Sequence, residues 1–375
     1  MAATWILAAL AVICLILFAY PYAIYPRVLR LLDRRPIHSK AIELSSSLLF
    51  CAFNEIGCIA EKIENLRALK RNRPDLQIIV YDDASSDGTS ELLEAAGDVL
   101  TLIRGGGRTG KAAGMKKLAR EATGDVLIFT DANIILSNDL IDRLLPYYGD
   151  PEVGGVSGTI RDMTDEQSIT SQIGSTYAAL DDELQMLESL TGNVMGASGG
   201  LFSIRSQLYP EFPDTVQDDF AVSMSVIFQG KRLVKAPDVI AFERVVSRRA
   251  EELRRKVRIG ARAYHTHAFL WPDIKKMSVR DRTKYVSRKM LRWFGGIFLI
   301  LFGIFALAAI GTISITLAIA LFAVGLVSLW ASIRASGGYL AKAGESVLAT
   351  FATLVGILQG MRGQTMATWT PAKSR

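Results

Sequence analysis

Hydrophobic positions along this 375-residue chain fall into distinct regimes. From Met1 to Pro26 no residue is charged, and Trp5 to Tyr25 is apolar or aromatic over about the 20 residues needed to cross a hydrocarbon core. From Trp293 to Ile333, 41 residues again carry no charge, with a break near Gly311 and Thr312 that divides the run into two helices and a tight turn. A last apolar stretch, Ser346 to Met361, has only 16 residues and is followed by Arg362, Lys373 and Arg375. Between these segments short β-rich runs alternate with amphipathic ones, the pattern of a largely parallel sheet with helices on its faces. The runs predict strands at Ser47 to Ala52, Gln77 to Tyr81, Val99 to Ile103 and Val126 to Thr130. They predict helices at Ile56 to Arg71, Thr89 to Ala96, Lys111 to Glu121 and Asn138 to Leu145.

The organisation that follows is a transmembrane anchor at 1–26, one α/β domain at 27–270, a basic juxtamembrane segment at 271–292 and two transmembrane helices at 293–333. Residues 334–375 hold a short apolar segment, either a third C-terminal span or an interfacial one, and a basic tail. Arg27, Arg30, Arg34 and Arg35 come after the first apolar run; a signal peptide would carry its basic residues before the run. With the second basic block just ahead of Trp293, the positive-inside rule places residues 27–292 in the cytoplasm. Segment 271–292 holds eight basic and two acidic residues, matching the whole net charge of +6. Charge concentrated beside a hydrophobic run suits membrane lipids as a partner and excludes a general nucleic-acid surface. Three cysteines, Cys14, Cys51 and Cys58, make no disulfide framework and have no metal spacing.

In a parallel sheet ligands bind beyond the carboxyl ends of the strands. Those ends carry Ala52-Phe53-Asn54-Glu55, then Asp82-Asp83-Ala84-Ser85-Ser86-Asp87-Gly88-Thr89, then Gly105 to Lys111, and finally Asp131-Ala132-Asn133. Acidic, glycine-rich and basic residues thus converge on one rim. The glycine loop fits parts of two phosphate-binding patterns, but Ala112 stands where a P-loop needs Ser or Thr for Mg²⁺. A dinucleotide fingerprint would sit at the first βα turn, not after the third strand. What remains is a phosphate or sugar-nucleotide contact by Lys111 at a helix start. Asp82 and Asp83 close a strand ahead of a turn. Asp131, with Asn133 two residues on, can offer oxygen ligands to a hard cation.

Taken together, FNE at Phe53 to Glu55, DDASSDGT, Gly110-Lys111, the DAN triplet, GASGG at Gly196 to Gly200 with Arg205, and Gln217-Asp218-Asp219-Phe220 resemble a membrane-anchored bacterial family 2 glycosyltransferase. The resemblance covers about residues 45 to 265. It implies a GT-A-like Rossmann-type mixed sheet with flanking helices, inverting transfer from a nucleotide-sugar donor, and the bacterial inner membrane as location, with the catalytic domain cytoplasmic. Ala52, Glu55 and Asp83, with Asp82 beside them, would hold the uracil and ribose of a UDP-sugar. Asp131 would hold Mg²⁺ or Mn²⁺, with Asn133 in the place of a second Asp; by position either His265 or His267, in YHTH just before Trp271-Pro272, could complete the shell. Lys111 matches the family's lysine, but Lys116 replaces an asparagine. Asp219 matches the general base, with Asp218 as the alternative.

Arg255 and Arg258 occupy the Q-x-x-R spacing of Q-x-x-R-W and would face the diphosphate, but Gln and Trp of that motif are replaced by Arg255 and Ile259. That speaks against a processive synthase. Arg248 to Arg262 also reads as an amphipathic helix on anionic lipid. The anchoring implies a lipid-linked or glycolipid acceptor. Rival readings are a ceramide- or diacylglycerol-type glycolipid glycosyltransferase, a short-chain processive synthase, a catalytically silent subunit of an export complex, and a P-loop membrane ATPase.

Overall fold

The period-two alternation of the first strands splits the interior into two faces. The computed structural model describes residues 1–163, 169–244, 248–335, 338–366 and 368, so Lys373 and Arg375 of the basic tail lie outside the described residues. Its eight-stranded mixed sheet comprises β1 (Ser46–Ala52), β2 (Gln77–Asp82), β3 (Thr101–Arg104), β4 (Val126–Thr130), β5 (Ile135–Leu136), β6 (Val153–Asp162), β7 (Leu201–Arg205) and β8 (Arg232–Glu243). They are ordered β3-β2-β1-β4-β7-β6-β8-β5. The first four pair in parallel, β7 runs antiparallel to both β4 and β6, and β6 and β8 are parallel.

Twelve described helices surround and extend the sheet. They are α1 (Ala2–Arg30), α2 (Ile56–Asn72), α3 (Thr89–Ala95), α4 (Lys111–Glu121), α5 (Leu140–Leu144), α6 (Ile169–Leu190), α7 (Asp218–Phe228), α8 (Arg249–Ile274), α9 (Val279–Trp293), α10 (Gly295–Gly311), α11 (Ile315–Arg334) and α12 (Gly338–Met361). Leu48, Phe50, Ile78 and Val80 pack under Ile59, Ile63 and Leu66 of α2. Leu49, Cys51, Ile79 and Tyr81 pack on the other face with Met115 and Leu118 of α4 and Met224 of α7. The third strand begins at Thr101, two residues later than its apolar pattern, because the Val99 and Leu100 amides donate back to the Ala96 carbonyl and close α3 instead.

Among the described residues three helices, α1, α11 and α12, are long and apolar enough to cross a membrane, or four spans result if the α9–α10 pair, bent by 65°, is one. The break falls after Gly311, near the point where the apolar run was expected to divide. Helix α12 is longer than the apolar run at Ser346 to Met361. That run stops at Glu345, but the Glu345 carboxylate is buried and paired with Arg249 of α8, so the helix continues back to Gly338. The far half of α12 lies directly on α8. A Cβ on Gly356 would meet the Val257 carbonyl, and one on Gly360 would lie 2.7 Å from the Ala261 carbonyl. Small residues are what let two helix backbones approach this closely.

Not all of the 271–292 basic block faces outward. Arg288 is buried and donates to Glu188 at 2.5 Å and Asp181 at 2.7 Å, both on α6, while Lys284 Nζ donates to the Glu188 carbonyl at 2.9 Å. The Tyr25 hydroxyl of α1 donates to the same Glu188 at 2.7 Å. Helices α1, α6 and α9 therefore meet at one buried carboxylate. Glu188→Ala leaves Arg288 buried without its closest partner, and breaking a buried pair in this way costs about 3–5 kcal/mol. The exposed Glu183–Arg30 pair on the same helix is worth under about 1 kcal/mol. Thermal unfolding of the full chain in detergent should show a clear loss for Glu188→Ala and almost none for Glu183→Ala.

Candidate active site

The carboxyl ends of β1 to β4 supply four loops to one rim. At the end of β1 the Ala52 carbonyl accepts the Asp83 amide at 2.9 Å, which ties the first two loops together. The Glu55 amide donates to the Thr89 hydroxyl at 2.9 Å, and the Ile56 amide at the start of α2 donates to Asp87 Oδ2 at 3.1 Å. Asp87 also accepts the Thr89 amide at 3.1 Å, so one turn carboxylate joins the starts of α2 and α3.

The paired aspartates have different surroundings. Asp82 accepts the Ser85 hydroxyl and amide within its own turn. Asp83, fully buried, accepts the Thr109 amide at 2.7 Å, the Gly110 amide at 2.9 Å and Arg108 Nη1 at 2.8 Å. In this conformation Asp83 shapes the glycine loop. Arg108 also lies over the Phe53 ring at 3.1 Å from its centroid, a cation–π contact that closes the β1 and β3 loops over each other. Gly110 has φ +90°, a conformation that favours glycine, and it delivers the chain into α4 with Lys111 as the first helical residue.

Lys111 is the hub of the site. Its Nζ donates to Asp131 Oδ1 at 2.6 Å and lies 3.7 Å from Asp218 Oδ2. Burial opposes its charge, but the carboxylates of Asp131, Asp218 and Asp219 outweigh that and hold the ammonium above the ordinary lysine range. Asp218, at the start of α7, is buried and lies 3.7 Å from Arg262 of α8. Asp219 is half-buried and its Oδ1 accepts the Phe220 amide at 2.8 Å. Burial first, then the neighbouring Asp218 charge, push its carboxyl above the usual range. Gly199 makes room for it, since a Cβ there would meet Asp219 Oδ2.

Asp131 is about two-fifths exposed. The turn behind it is braced by Lys62, a fully buried side chain whose Nζ donates to the Ile134 carbonyl at 2.6 Å, and burial draws its pKa down to about 7. Asn133 Nδ2 donates to Glu243 Oε1 at 3.2 Å. Arg255 donates to Glu252 at 2.9 Å; although burial opposes its charge, attraction from Glu252, Glu243 and Asp131 holds it above its ordinary value. Arg258 is half-buried one turn further along the same helix.

The structure therefore gathers Lys111, Asp131, Asp218 and Asp219, with Arg255 within electrostatic reach. His265 is engaged differently: its Nε2 lies 3.0 Å from the Gln364 carbonyl just beyond α12. Among the described residues no three His, Cys, Asp or Glu side chains are grouped to hold a metal ion. His267 sits in an aromatic cluster, its Nδ1 2.8 Å from the Tyr285 hydroxyl and its ring against Trp271 and Trp293. Sequence reasoning missed Arg262, whose helical spacing of four from Arg258 was the available signal. It also missed Lys62 and Glu243, for which a single sequence offers none.

A parallel-to-antiparallel mixed sheet with flanking helices and a charged rim at the ends of its parallel strands is GT-A-like in fold. Residues 47–212 match the family described as Glycosyl transferase family 2. An N-acetylglucosaminyltransferase of Azorhizobium caulinodans is 24% identical over 289 residues, covering 72% of this chain and 71% of that protein. A beta-monoglucosyldiacylglycerol synthase of Synechocystis is 24% identical over 167 residues, 43% of this chain and 35% of that one. A mannosyltransferase from Pyrobaculum calidifontis, solved with GDP-Man and Mn²⁺, shares the fold with a TM-score of 0.72 at 23% identity, over 94% of this chain and 99% of that one.

Proposed function

We propose that this protein is a membrane-anchored inverting glycosyltransferase that moves a sugar from a nucleoside-diphosphate sugar, UDP being the expected nucleotide, to a lipid-linked or glycolipid acceptor. The observation that carries the reading is the Lys111–Asp131–Asp218–Asp219 cluster at the rim of a family 2 domain. The acceptor oxygen forms a bond to the anomeric carbon and passes its proton to Asp219. The bond from that carbon to the diphosphate oxygen breaks, and its electron pair leaves with the nucleotide from the opposite face, which inverts the centre. Arg255, Arg258 and Lys111 supply positive charge for the departing diphosphate.

Asp131 and Asn133 fit a hard divalent cation in donor chemistry, one partly exposed carboxylate and one amide oxygen, with substrate phosphates supplying further oxygens. Mg²⁺ or Mn²⁺ held there would neutralise developing charge on the diphosphate. Apolar helices α1, α11 and α12 support an anchored enzyme, and the basic residues flanking them support a cytoplasmic catalytic domain in the bacterial inner membrane. The diacylglycerol named in the Synechocystis relative supports a lipid acceptor.

The test is transfer of radiolabel from a panel of UDP- and GDP-sugars into organic-extractable material, using membranes that carry the chain, with Mn²⁺ or EDTA. Label from one donor that needs the cation and is lost in Asp131→Ala is the expected result. Donor turnover that is identical in wild type and Asp131→Ala would overturn the reading.

A further inference from the structure

Helix α9 brings to the catalytic rim one cation that no carboxylate contacts directly, although Asp181 and Glu188 act on it at longer range. The acids around α9 are fully engaged. Glu188 accepts from Arg288, from the Tyr25 hydroxyl and from the Met195 amide at 2.9 Å. Asp181 accepts from Arg288 at 2.7 Å, Arg292 at 2.9 Å and Gln185 at 3.0 Å. Three carboxylates, Glu188, Asp181 and Asp281, thus face four cations, Lys284, Arg288, Lys289 and Arg292, with Asp281 acting on Lys284. Of these, Lys289 has no hydrogen bond or ion pair among the described residues. Its Nζ rests 4.8 Å above the ring of Phe220, the residue after Asp219. Burial and the like charge of Arg288 lower its pKa to about 8.

The GASGG loop connects this amine to the catalytic carboxylate. Gly196, at φ +86°, could not carry a Cβ without meeting the Phe220 ring at 2.5 Å, and that Cβ would lie 3.5 Å from Lys289 Nζ. Three residues on, Gly199 lies against Asp219 Oδ2. Three residues span at most roughly 10 Å, so Asp219 and Lys289 border the two ends of one short wall. The first residue of the apolar helix α10, Gly295, follows six residues after Lys289, across the 65° bend between α9 and α10. The amine therefore lies close in sequence to an apolar helix, on the side from which a lipid-anchored acceptor would come.

We propose that Lys289 binds a phosphate oxygen on the acceptor, a membrane lipid that carries a phosphate group beside the hydroxyl presented to Asp219. This rests on the glycosyltransferase reading above and adds the acceptor's chemical class. An ammonium held over an aromatic ring, in a cluster with excess positive charge, is completed by an anion, and a phosphate is the anion a lipid headgroup brings to this depth.

The test uses the purified full chain in neutral detergent, titrated calorimetrically with geranyl phosphate, geraniol and inorganic phosphate. Geranyl phosphate is expected to bind wild type and to weaken about 10- to 100-fold in Lys289→Met, the loss of one charge-assisted contact. Lys289→Arg should restore most of the affinity, and geraniol should not respond to the substitution. UDP and GDP titrations of the variants check folding, and their failure in wild type would count against the glycosyltransferase reading separately. The proposal is overturned by geranyl phosphate failing to bind wild type, or binding Lys289→Met equally well. It is also overturned if inorganic phosphate binds as tightly with the same dependence on Lys289, which would make this a site for free phosphate.

Discussion

Asp219→Asn should lower sugar transfer by about 10²- to 10⁴-fold, the usual contribution of a positioned general base, while nucleotide binding changes little. The amide keeps the shape of the side chain and its contact with the Phe220 amide, but it accepts no proton. The pH profile of wild type gives an independent check. The Asp219 carboxyl titrates above the ordinary aspartate value of about 4, because desolvation at its half-buried position, then the facing Asp218 charge, disfavour the ionised form. Since the ionised form is the base, kcat/KM must rise with pH as Asp219 loses its proton, with the acid limb above the ordinary carboxylate range. Asp218→Asn removes the like charge, so its acid limb should move to lower pH. If Asp219→Asn keeps a tenth or more of the activity while Asp218→Asn loses it, the proton goes to Asp218.

The parts of this site that were readable from sequence are those set by local rules. Strand ends follow from short, near-continuous β-rich runs such as VLIFT, which suit strands buried on both faces, and the loops after β1 to β4 had to share one rim once the strands were parallel. That placed Lys111 near Asp131 without any coordinates. Asp218 and Asp219 were recognised by resemblance, because nothing in the spacing between residues 131 and 218 says that β7 returns antiparallel beside β4. Charges were harder to read than strands. Lys289, Arg288 and Lys284 belong to one basic run in sequence, yet Arg288 is buried on Glu188, a hundred residues away, while Lys289 is left beside Phe220. A one-dimensional charge pattern cannot separate a cation that faces lipid from one that completes a buried pair. The same limit applies to α12, whose polar Glu345 ended the apolar run and proved to be paired with Arg249.

Lys111→Met should reduce transfer by about 10²- to 10³-fold, comparable to losing one preorganised donor to developing charge, and it should do so in two separable ways. The ammonium lies 2.6 Å from Asp131 and 3.7 Å from Asp218, and it is the nearest positive charge those carboxylates share. Its removal leaves Asp131, Asp218 and Asp219 facing one another with Arg262 beside Asp218 and Arg255 within electrostatic reach of Asp131. Lys111 lowers the Asp219 pKa in the native site, so the methionine variant should have its acid limb displaced to higher pH. The same loss takes positive charge away from the diphosphate side, so donor KM should rise as kcat falls. Lys111→Arg keeps the charge at a longer reach and should restore the position of the acid limb better than it restores kcat. A methionine variant with an unmoved acid limb and an unchanged donor KM would show that Lys111 acts on neither the base nor the donor, and would reduce it to a structural partner of Asp131.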